Sequence, residues 1–317
     1  MKKYIQPILE VIGYYKIKSK WRWHQYISRL QKEDASRKAE ALAWIETIDH
    51  RLLPNVKKTD NITISLTSHG RRLSDFAPVA LYGIFHQTVL PNRIVLNINK
   101  EKWNEDNLPE VIKKLQIAGL EVNFCEDVGP HTKLLPALEK YPDDVIITVD
   151  DDIYYDEKLI ADLISDYRQK NEKCVICKSA LVVSYDNGKL KPYSQWPRAT
   201  KRTSHDALLS PYGYCGVLYA PHVFSTEVFN KSVYQKYCKH ADDIWFTVIE
   251  MLERIPVYLS SIPRHDVMDV DHYNEFVAQE SDALHFSNDE GGRNDVQLRA
   301  LVEYYKLNEL TSEGVND

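Results

Sequence analysis

Three consecutive aspartates, Asp150, Asp151 and Asp152, directly follow the apolar run VIITV. Adjacent carboxylates repel one another, so such a group is stable chiefly when a cation is bound. Magnesium and manganese take oxygen ligands, commonly one or two carboxylates together with phosphate oxygens. A structural role is the alternative, because acids also start turns and cap helices, and Asp156 suits the cap of the next helix. Three acids after a buried strand favour the metal site.

A second pair of acids, Asp242 and Asp243, opens an apolar helical stretch in the block HADDIWF. Acids in a first helical turn are favoured by the helix dipole, which is their structural explanation. In an active site, a carboxylate within hydrogen-bond reach of a hydroxyl takes its proton and makes the oxygen a better nucleophile. The pair is therefore a candidate general base.

The elements that must position these acids are short β-rich runs alternating with helical ones from Asn61 onward. We predict strands over 62–67, 93–98, 120–125 and 144–150, and helices around 76–86, 108–118 and 132–140. This order is typical of an α/β protein with a doubly wound, mostly parallel sheet, whose ligands bind beyond the carboxyl ends of the strands. Further on we predict a helix over 159–169, a strand pair near 174–185, an irregular segment over 191–221, a helix over 242–253, a strand over 257–259 and a last helix over 295–305.

Residues 1–60 differ from the remainder in charge, with 13 basic and 7 acidic side chains against 27 and 39. Residues 61–317 are therefore acidic overall, which argues against a protein that binds nucleic acid over a broad surface. Two helical stretches are predicted, the second from Glu33 to Leu53 with a stop at Pro54. Within residues 1–30, basic residues interleave with Trp and Tyr, which is typical of a helix at a membrane surface. The alternative is a helix that packs on the main domain.

The number of cysteines, five, is odd, and we expect them to be reduced thiols. Cys174 and Cys177 form a CxxC motif, but no second Cys or His pair follows at zinc-ribbon spacing, so we expect no structural zinc. No apolar run approaches the roughly 20 residues of a membrane span. The first residues also lack the unbroken apolar core of a signal peptide. We therefore expect a cytoplasmic protein, peripheral on the inner face of the membrane if residues 1–30 bind it.

The block VDDDIYYD resembles the DxD motif of GT-A-fold glycosyltransferases of the broad family 2 type. Further blocks stand in the order found in transferases of bacterial surface-polysaccharide gene clusters, namely ISLTSHGRR, HQTVLPNRIVLNI, LPEVIKKL, HTKLLPALEKYPDDVIITVDDDIYY, GYCGVLYAP and HADDIWF. The resemblance covers about residues 61–300. It implies a Rossmann-like GT-A fold with an amino-terminal helical appendage over 1–60, a nucleotide-sugar-binding half over 61–156 and an acceptor-binding and catalytic half over 157–317.

The resemblance also implies roles for single residues. Asp152 would hold Mn²⁺ or Mg²⁺, Asp150 would lie near the ribose or a metal-bound water, and His285 would return to the metal as a further ligand, although a lone His is often structural. The nucleotide-sugar would be held by Thr67, Ser68, His69, Arg71, Arg72, Asp127, Lys133 and Asp151. In this set Lys133 and the two arginines suit phosphate and Asp127 suits the imino proton of uracil. A solvated basic loop is the alternative for Arg71 and Arg72, as is a surface position for Lys133.

On the acceptor side, Asp243 would take the proton from the acceptor hydroxyl, while Asp242 would bind the acceptor or share that role. Trp196, Tyr212 and Tyr214 would offer stacking surfaces, and Gly213 and Gly216 would allow close approach of the backbone. The alternative is that these aromatic side chains fill the core beneath a long loop.

Together these features imply an enzyme that moves a hexosyl or related group from a nucleoside-diphosphate sugar, with UDP preferred, to a carbohydrate or lipid-linked carbohydrate acceptor, with inversion, in surface-polysaccharide synthesis. A nucleotidyltransferase of similar fold is the second hypothesis. It needs a Gly-rich basic loop after the first strand, and LTSHGRR has a single Gly. A non-catalytic sugar-binding module is the third, and such a module has no need of both acid groups.

Overall fold

The computed structural model describes residues 20–54, 61–170, 173–204, 206–263, 268–270 and 292–307, with side chains in the first helix from Gln25 on. The strands are β1 Ile62–Thr67, β2 Arg93–Asn99, β3 Leu120–Cys125, β4 Val145–Thr148, β5 Ile153–Tyr154, β6 Val175–Cys177, β7 Ala180–Val182, β8 Tyr185–Asp186, β9 Lys189–Leu190, β10 Leu209–Pro211, β11 Val217–Tyr219, β12 Val257–Leu259 and β13 Met268–Asp269. The helices are α1 Lys20–Glu46, α2 Arg72–Asp75, α3 Ala77–Phe85, α4 Glu110–Ala118, α5 Leu135–Lys140, α6 Leu159–Lys170, α7 Lys231–Tyr237, α8 Asp242–Leu252 and α9 Arg293–Tyr305.

A seven-stranded sheet in the order β12-β6-β11-β4-β1-β2-β3 is the centre of the fold, and within it β11 alone runs antiparallel to its neighbours. This confirms the predicted α/β class with a mostly parallel sheet. Strands β1 and β4 are buried almost throughout, because helices cover both faces of a parallel sheet and leave little polar alternation. The division of the chain into 61–156 and 157–317 stays a prediction.

Two hydrophobic clusters lie on opposite faces of this sheet. One cluster joins the sheet to α1, α3, α4 and α6, and the other joins it to α5, α7, α8 and α9. Ile64 and Leu66 of β1 belong to the first cluster, and Trp245 and Phe246 of α8 belong to the second. The resulting three-layer packing fixes the carboxyl edge of the sheet, where the acid groups lie.

The sequence predicts an irregular segment over 191–221, but the structure has β11 there, in the middle of the sheet between β4 and β6. β11 is an apolar run of three residues bounded by Gly216 and by Pro221, which is too short for a periodic signal. The predicted helix over 132–140 is likewise divided into a 3₁₀ turn, Gly129–Lys133, and α5.

The first described helix, α1, is a single helix that ends at Glu46 rather than near Pro54. It ends there because both the N–H and the Oγ1 of Thr47 donate to the carbonyl of Trp44, at 2.9 and 2.6 Å, which closes the last turn. Ile27, Leu30 and Ile45 are buried, so from Ile27 on the helix is packed on the protein. Residues 1–19 lie outside the described part of the chain.

None of the described helices combines the length and the apolar composition that a membrane crossing requires. All five cysteines are free thiols; Cys125 is half-buried and the others are buried.

Candidate active site

The turn after β4 carries the three aspartates, and their carboxylates have different partners. Asp151 is buried and accepts hydrogen bonds from Ser68 Oγ at 2.6 Å and from Arg72 Nη2 at 2.7 Å. Arg72 also forms an ion pair with Asp152. Ser68 and Arg72, predicted as nucleotide ligands, are therefore engaged in this structure in shaping the aspartate turn.

Lys133 brings the two acid groups of the sequence together. Its Nζ lies 3.2 Å from Asp150 Oδ1, 3.0 Å from Asp242 Oδ2 and 4.0 Å from Asp243 Oδ1. Burial disfavours the charge of this lysine, but the three carboxylates outweigh it and raise the pKa of Lys133 well above its usual value. The lysine is thus a buried cation held among three carboxylates. Its predicted contact with a phosphate stays a prediction.

The site carries more negative charge than its two cations balance. Burial raises the pKa of Asp152 to about 7, with repulsion from Asp151 and Asp150 opposing the attraction of Arg72. Burial and repulsion from Asp242 likewise raise the pKa of Asp243 to about 7. The pKa of Asp242 is lowered, because Lys133 outweighs the effect of burial there. A divalent cation at the exposed side of the aspartate turn would relieve this excess.

The residues fit such a cation by the chemistry of their donor atoms. Asp150 and Asp152 are partly exposed carboxylates on one turn, and two carboxylates with phosphate oxygens suffice for Mg²⁺. Among the described residues no group of three or more His, Cys, Asp or Glu has ligating geometry. His285, predicted as a further ligand, lies outside the described residues.

Gly213, in the segment after β10, contacts the acid pair. Its N–H donates to Asp243 Oδ2 at 3.1 Å. A Cβ at this position would lie 2.5 Å from both Lys133 Nζ and Asp243 Oδ1, which is far inside contact distance. A side chain at this position would push at least one of the two charged groups aside, so the glycine leaves room for both of them.

Tyr155 connects the aspartate turn to this glycine segment, and sequence reasoning missed it. Its buried hydroxyl accepts from the Asp150 N–H and donates to the Tyr214 carbonyl, both at 2.8 Å. Tyrosines are common in protein cores, and the sequence marks Tyr155 only by its position three residues after Asp152.

The remaining residues predicted for the nucleotide-sugar lie around the same edge of the sheet. Thr67 Oγ1 donates to the carbonyl of Asn97 at 2.9 Å, between β1 and β2. His69 and Arg71 are exposed in the segment after β1, and Asp127 is exposed after β3. These three side chains are placed where a ligand can reach them.

Two of the predicted acceptor residues require correction. Trp196 is only 5% exposed, and its Nε1 donates to the Lys191 carbonyl, so it fills the core rather than offering a stacking face. Gly216 is buried with φ +94°, and a Cβ there would lie 2.8 Å from Leu159 Cδ1, so it serves close packing on α6. Tyr212 and Tyr214 remain half-exposed, with ring centroids 5.5 Å apart.

Comparison with known proteins gives similarity of fold only. No protein-family model and no curated protein match this sequence. Similar solved structures include a CMP:2-keto-3-deoxy-manno-octonic acid synthetase in complex with CTP, at 12% identity and a TM-score of 0.42, covering 71% of this chain and 100% of that chain. A cytidylyltransferase from Leptospira borgpetersenii has 15% identity and a TM-score of 0.40, covering 81% and 98%. A 2-C-methyl-D-erythritol 4-phosphate cytidylyltransferase from Francisella tularensis has 11% identity and a TM-score of 0.38, covering 72% and 99%. All three are nucleotidyltransferases.

Proposed function

We propose that this protein is a metal-dependent glycosyltransferase that uses a nucleoside-diphosphate sugar, with UDP as the favoured nucleotide. The observation that supports this most is the convergence of two acid groups on Lys133 at the carboxyl edge of the sheet. One group, Asp150 and Asp152, has the donor atoms for a cation, and the other, Asp242 and Asp243, has those of a base. Donor activation and acceptor activation require these two functions side by side.

On the donor side, Asp150 and Asp152 would hold Mn²⁺ or Mg²⁺, which would supply positive charge for the departing nucleoside diphosphate. Ser68 and Arg72 hold the turn in place through Asp151. The exposed His69, Arg71 and Asp127 are the residues we assign to the nucleotide, because they border the same edge of the sheet.

On the acceptor side, Asp243 is the base and Asp242 holds the lysine. The Asp242 side chain is 12% exposed and lies nearer Lys133, whereas that of Asp243 is 28% exposed. A carboxylate with a pKa of about 7 accepts a proton well near neutral pH. A hydroxyl activated in this way displaces the nucleotide from the opposite face of the sugar, which inverts the configuration at C1. The acceptor is a carbohydrate or lipid-linked carbohydrate that lies beside Tyr212 and Tyr214.

The deciding experiment measures products. The purified protein is incubated with UDP, GDP, CDP or ADP sugars in the presence of Mn²⁺ or EDTA, and the nucleoside diphosphate that is released is measured. A thermal-shift screen with the same ligands identifies the donor, because a bound ligand raises the melting temperature. Nucleotidyl transfer, the activity named for the similar structures above, is the second candidate. It predicts pyrophosphate release from CTP and a sugar phosphate, and no nucleoside diphosphate. Sugar binding without either product would indicate a non-catalytic module.

A further inference from the structure

A short antiparallel strand pair follows the aspartate turn directly. β5 begins at Ile153, one residue after Asp152, and pairs with β13 in the register Met268 to Tyr154 and Asp269 to Ile153. The next residue, Val270, donates its N–H to the carbonyl of Asp152 at 2.7 Å. The backbone of Asp152, the predicted metal ligand, is therefore held by the residue that directly follows β13.

Two strands of two residues each have too few hydrogen bonds to persist alone, so this pair needs support from outside. Helix α1 supplies it. Arg37 Nη1 donates to the carbonyl of Asp269 at 3.4 Å, and Val270 is buried with Ala41 of α1 and with Val79 of α3. The helix thus makes a polar contact with β13 and an apolar contact with Val270, the residue that follows β13.

The same arginine also contacts the other strand. Its guanidinium lies 5.2 Å from the ring centroid of Tyr154 in β5, in cation–π geometry. The Tyr154 ring stacks on Tyr82 of α3 at 6.3 Å, and the Tyr82 hydroxyl donates to Glu40 of α1 at 2.8 Å. Arg37 is oriented in turn by Asp34, 3.5 Å away on the preceding helical turn.

We propose that Arg37 is a positioning residue for the Asp152 end of the cation site. It contacts both strands of the pair that fixes the Asp152 backbone, and it does so from a helix that the sequence identifies only as an appendage. This inference rests on the proposed function, because it assumes that Asp152 binds a cation. It makes α1 a functional part of the donor site.

The test is Mn²⁺ binding to the purified full-length chain, with and without UDP, measured by calorimetry together with the melting temperature. We expect Arg37→Ala to weaken Mn²⁺ affinity about tenfold or more, as is typical when a residue that orients a ligand is lost, and Arg37→Lys to restore part of it. Arg29→Ala is the matched control, since Arg29 lies on the same helix in an exposed pair with Glu33, and its affinity should equal that of the wild type.

Unchanged Mn²⁺ affinity in a folded Arg37→Ala protein, even with a lower melting temperature, would overturn the inference and leave the proposed function intact. No Mn²⁺ binding by the wild type would instead overturn the proposed metal site. If Arg37→Ala does not fold, Arg37→Lys and Tyr154→Leu decide the matter. Both should then bind Mn²⁺ several-fold more weakly than the wild type, and full affinity in both would refute the role of Arg37.

Discussion

The two acids next to Lys133 differ in their distance from its ammonium group and in their exposure, and we assign them different functions. Asp242 is the nearer acid, 3.0 Å from Lys133 Nζ, whereas Asp243 is more exposed, lies 4.0 Å from the same atom and accepts the Gly213 N–H. We expect Asp243→Asn to lower turnover by roughly 10² to 10⁴ fold, the loss typical of a general base, with donor affinity nearly unchanged. Nucleoside diphosphate release and donor titration measure the two quantities. If Asp242→Asn lowered turnover strongly and Asp243→Asn lowered it only slightly, the assignment of the base within the pair would be reversed.

Gly213 leaves space for the charged groups of Lys133 and Asp243. A Cβ there would displace Lys133 Nζ or the Asp243 carboxylate, each only 2.5 Å away. Overpacking of this kind costs about 1–3 kcal/mol, so we expect Gly213→Ala to lower both the melting temperature and turnover. Gly83→Ala is the control, because its Cβ meets neighbours at an ordinary 3.4 Å and α3 gains a better helix former. Normal turnover in Gly213→Ala would show that the acids tolerate displacement.

The hydroxyl of Tyr155 connects the aspartate turn to the segment that contains Gly213 and Tyr214. Tyr155→Phe would leave the Asp150 N–H and the Tyr214 carbonyl without that partner. We expect a loss of about 1–3 kcal/mol in the free energy of unfolding, measured in urea. Tyr185→Phe is the matched control, because the buried Tyr185 hydroxyl has no partner in the described structure and its removal should cost nothing. Equal stability of the two variants would refute the link.

Helix α8 carries a buried acid that makes stability depend on pH. Glu250 lies seven residues after Asp243, and neither of its oxygens has a hydrogen-bond partner within the described chain. Burial, with a smaller effect from Asp243, raises the pKa of Glu250 from 4.5 to about 8. The folded state keeps a proton that the unfolded state releases, so this contribution is complete below about pH 4.5 and is lost as the pH rises through about 8.

We therefore expect Glu250→Gln to flatten the decline in stability between these pH values and to raise the free energy of unfolding above pH 8 by on the order of 1–3 kcal/mol. Urea unfolding at a series of pH values measures this. The exposed Glu303→Gln variant on α9 should follow the wild-type curve. Parallel curves for Glu250→Gln and the wild type would mean that Glu250 ionises normally in the folded protein.

How far the sequence predicts these elements depends on their length and on the range of their contacts. β1, β2 and β3 are predicted correctly because each is a β-rich run of six or seven residues bounded by turn or helix signals. β5, β11 and β13 are too short for such a signal, and their pairing is set by residues far away in the chain. The acids themselves were identified from their types and spacing. Their convergence on Lys133 and the burial of Trp196 follow from tertiary packing, which local patterns do not encode.

At the scale of the whole molecule, the charge is divided between a basic amino-terminal segment and an acidic body, with 13 basic and 7 acidic residues over 1–60 against 27 and 39 in the rest. An anionic leaflet repels the body, whereas each basic residue near it contributes on the order of 1 kcal/mol. Contact with a membrane would therefore be made by this segment. Because Ile27 and Leu30 are buried in α1, the membrane proposal concerns the residues that precede Ile27.

Deleting residues 1–19 tests this proposal without removing the packed part of α1. The deletion takes away Lys2, Lys3, Lys16 and Lys18. We expect less sedimentation with anionic vesicles, no change with neutral ones, and a larger loss of activity on a lipid-linked acceptor than on a soluble one, because only the former must be reached at the leaflet. Replacing the same four lysines with glutamine is the matched control for chain length and should reproduce the loss. If the segment instead packs on the protein, the deletion lowers the melting temperature and neither protein binds vesicles, which would refute attachment through charge.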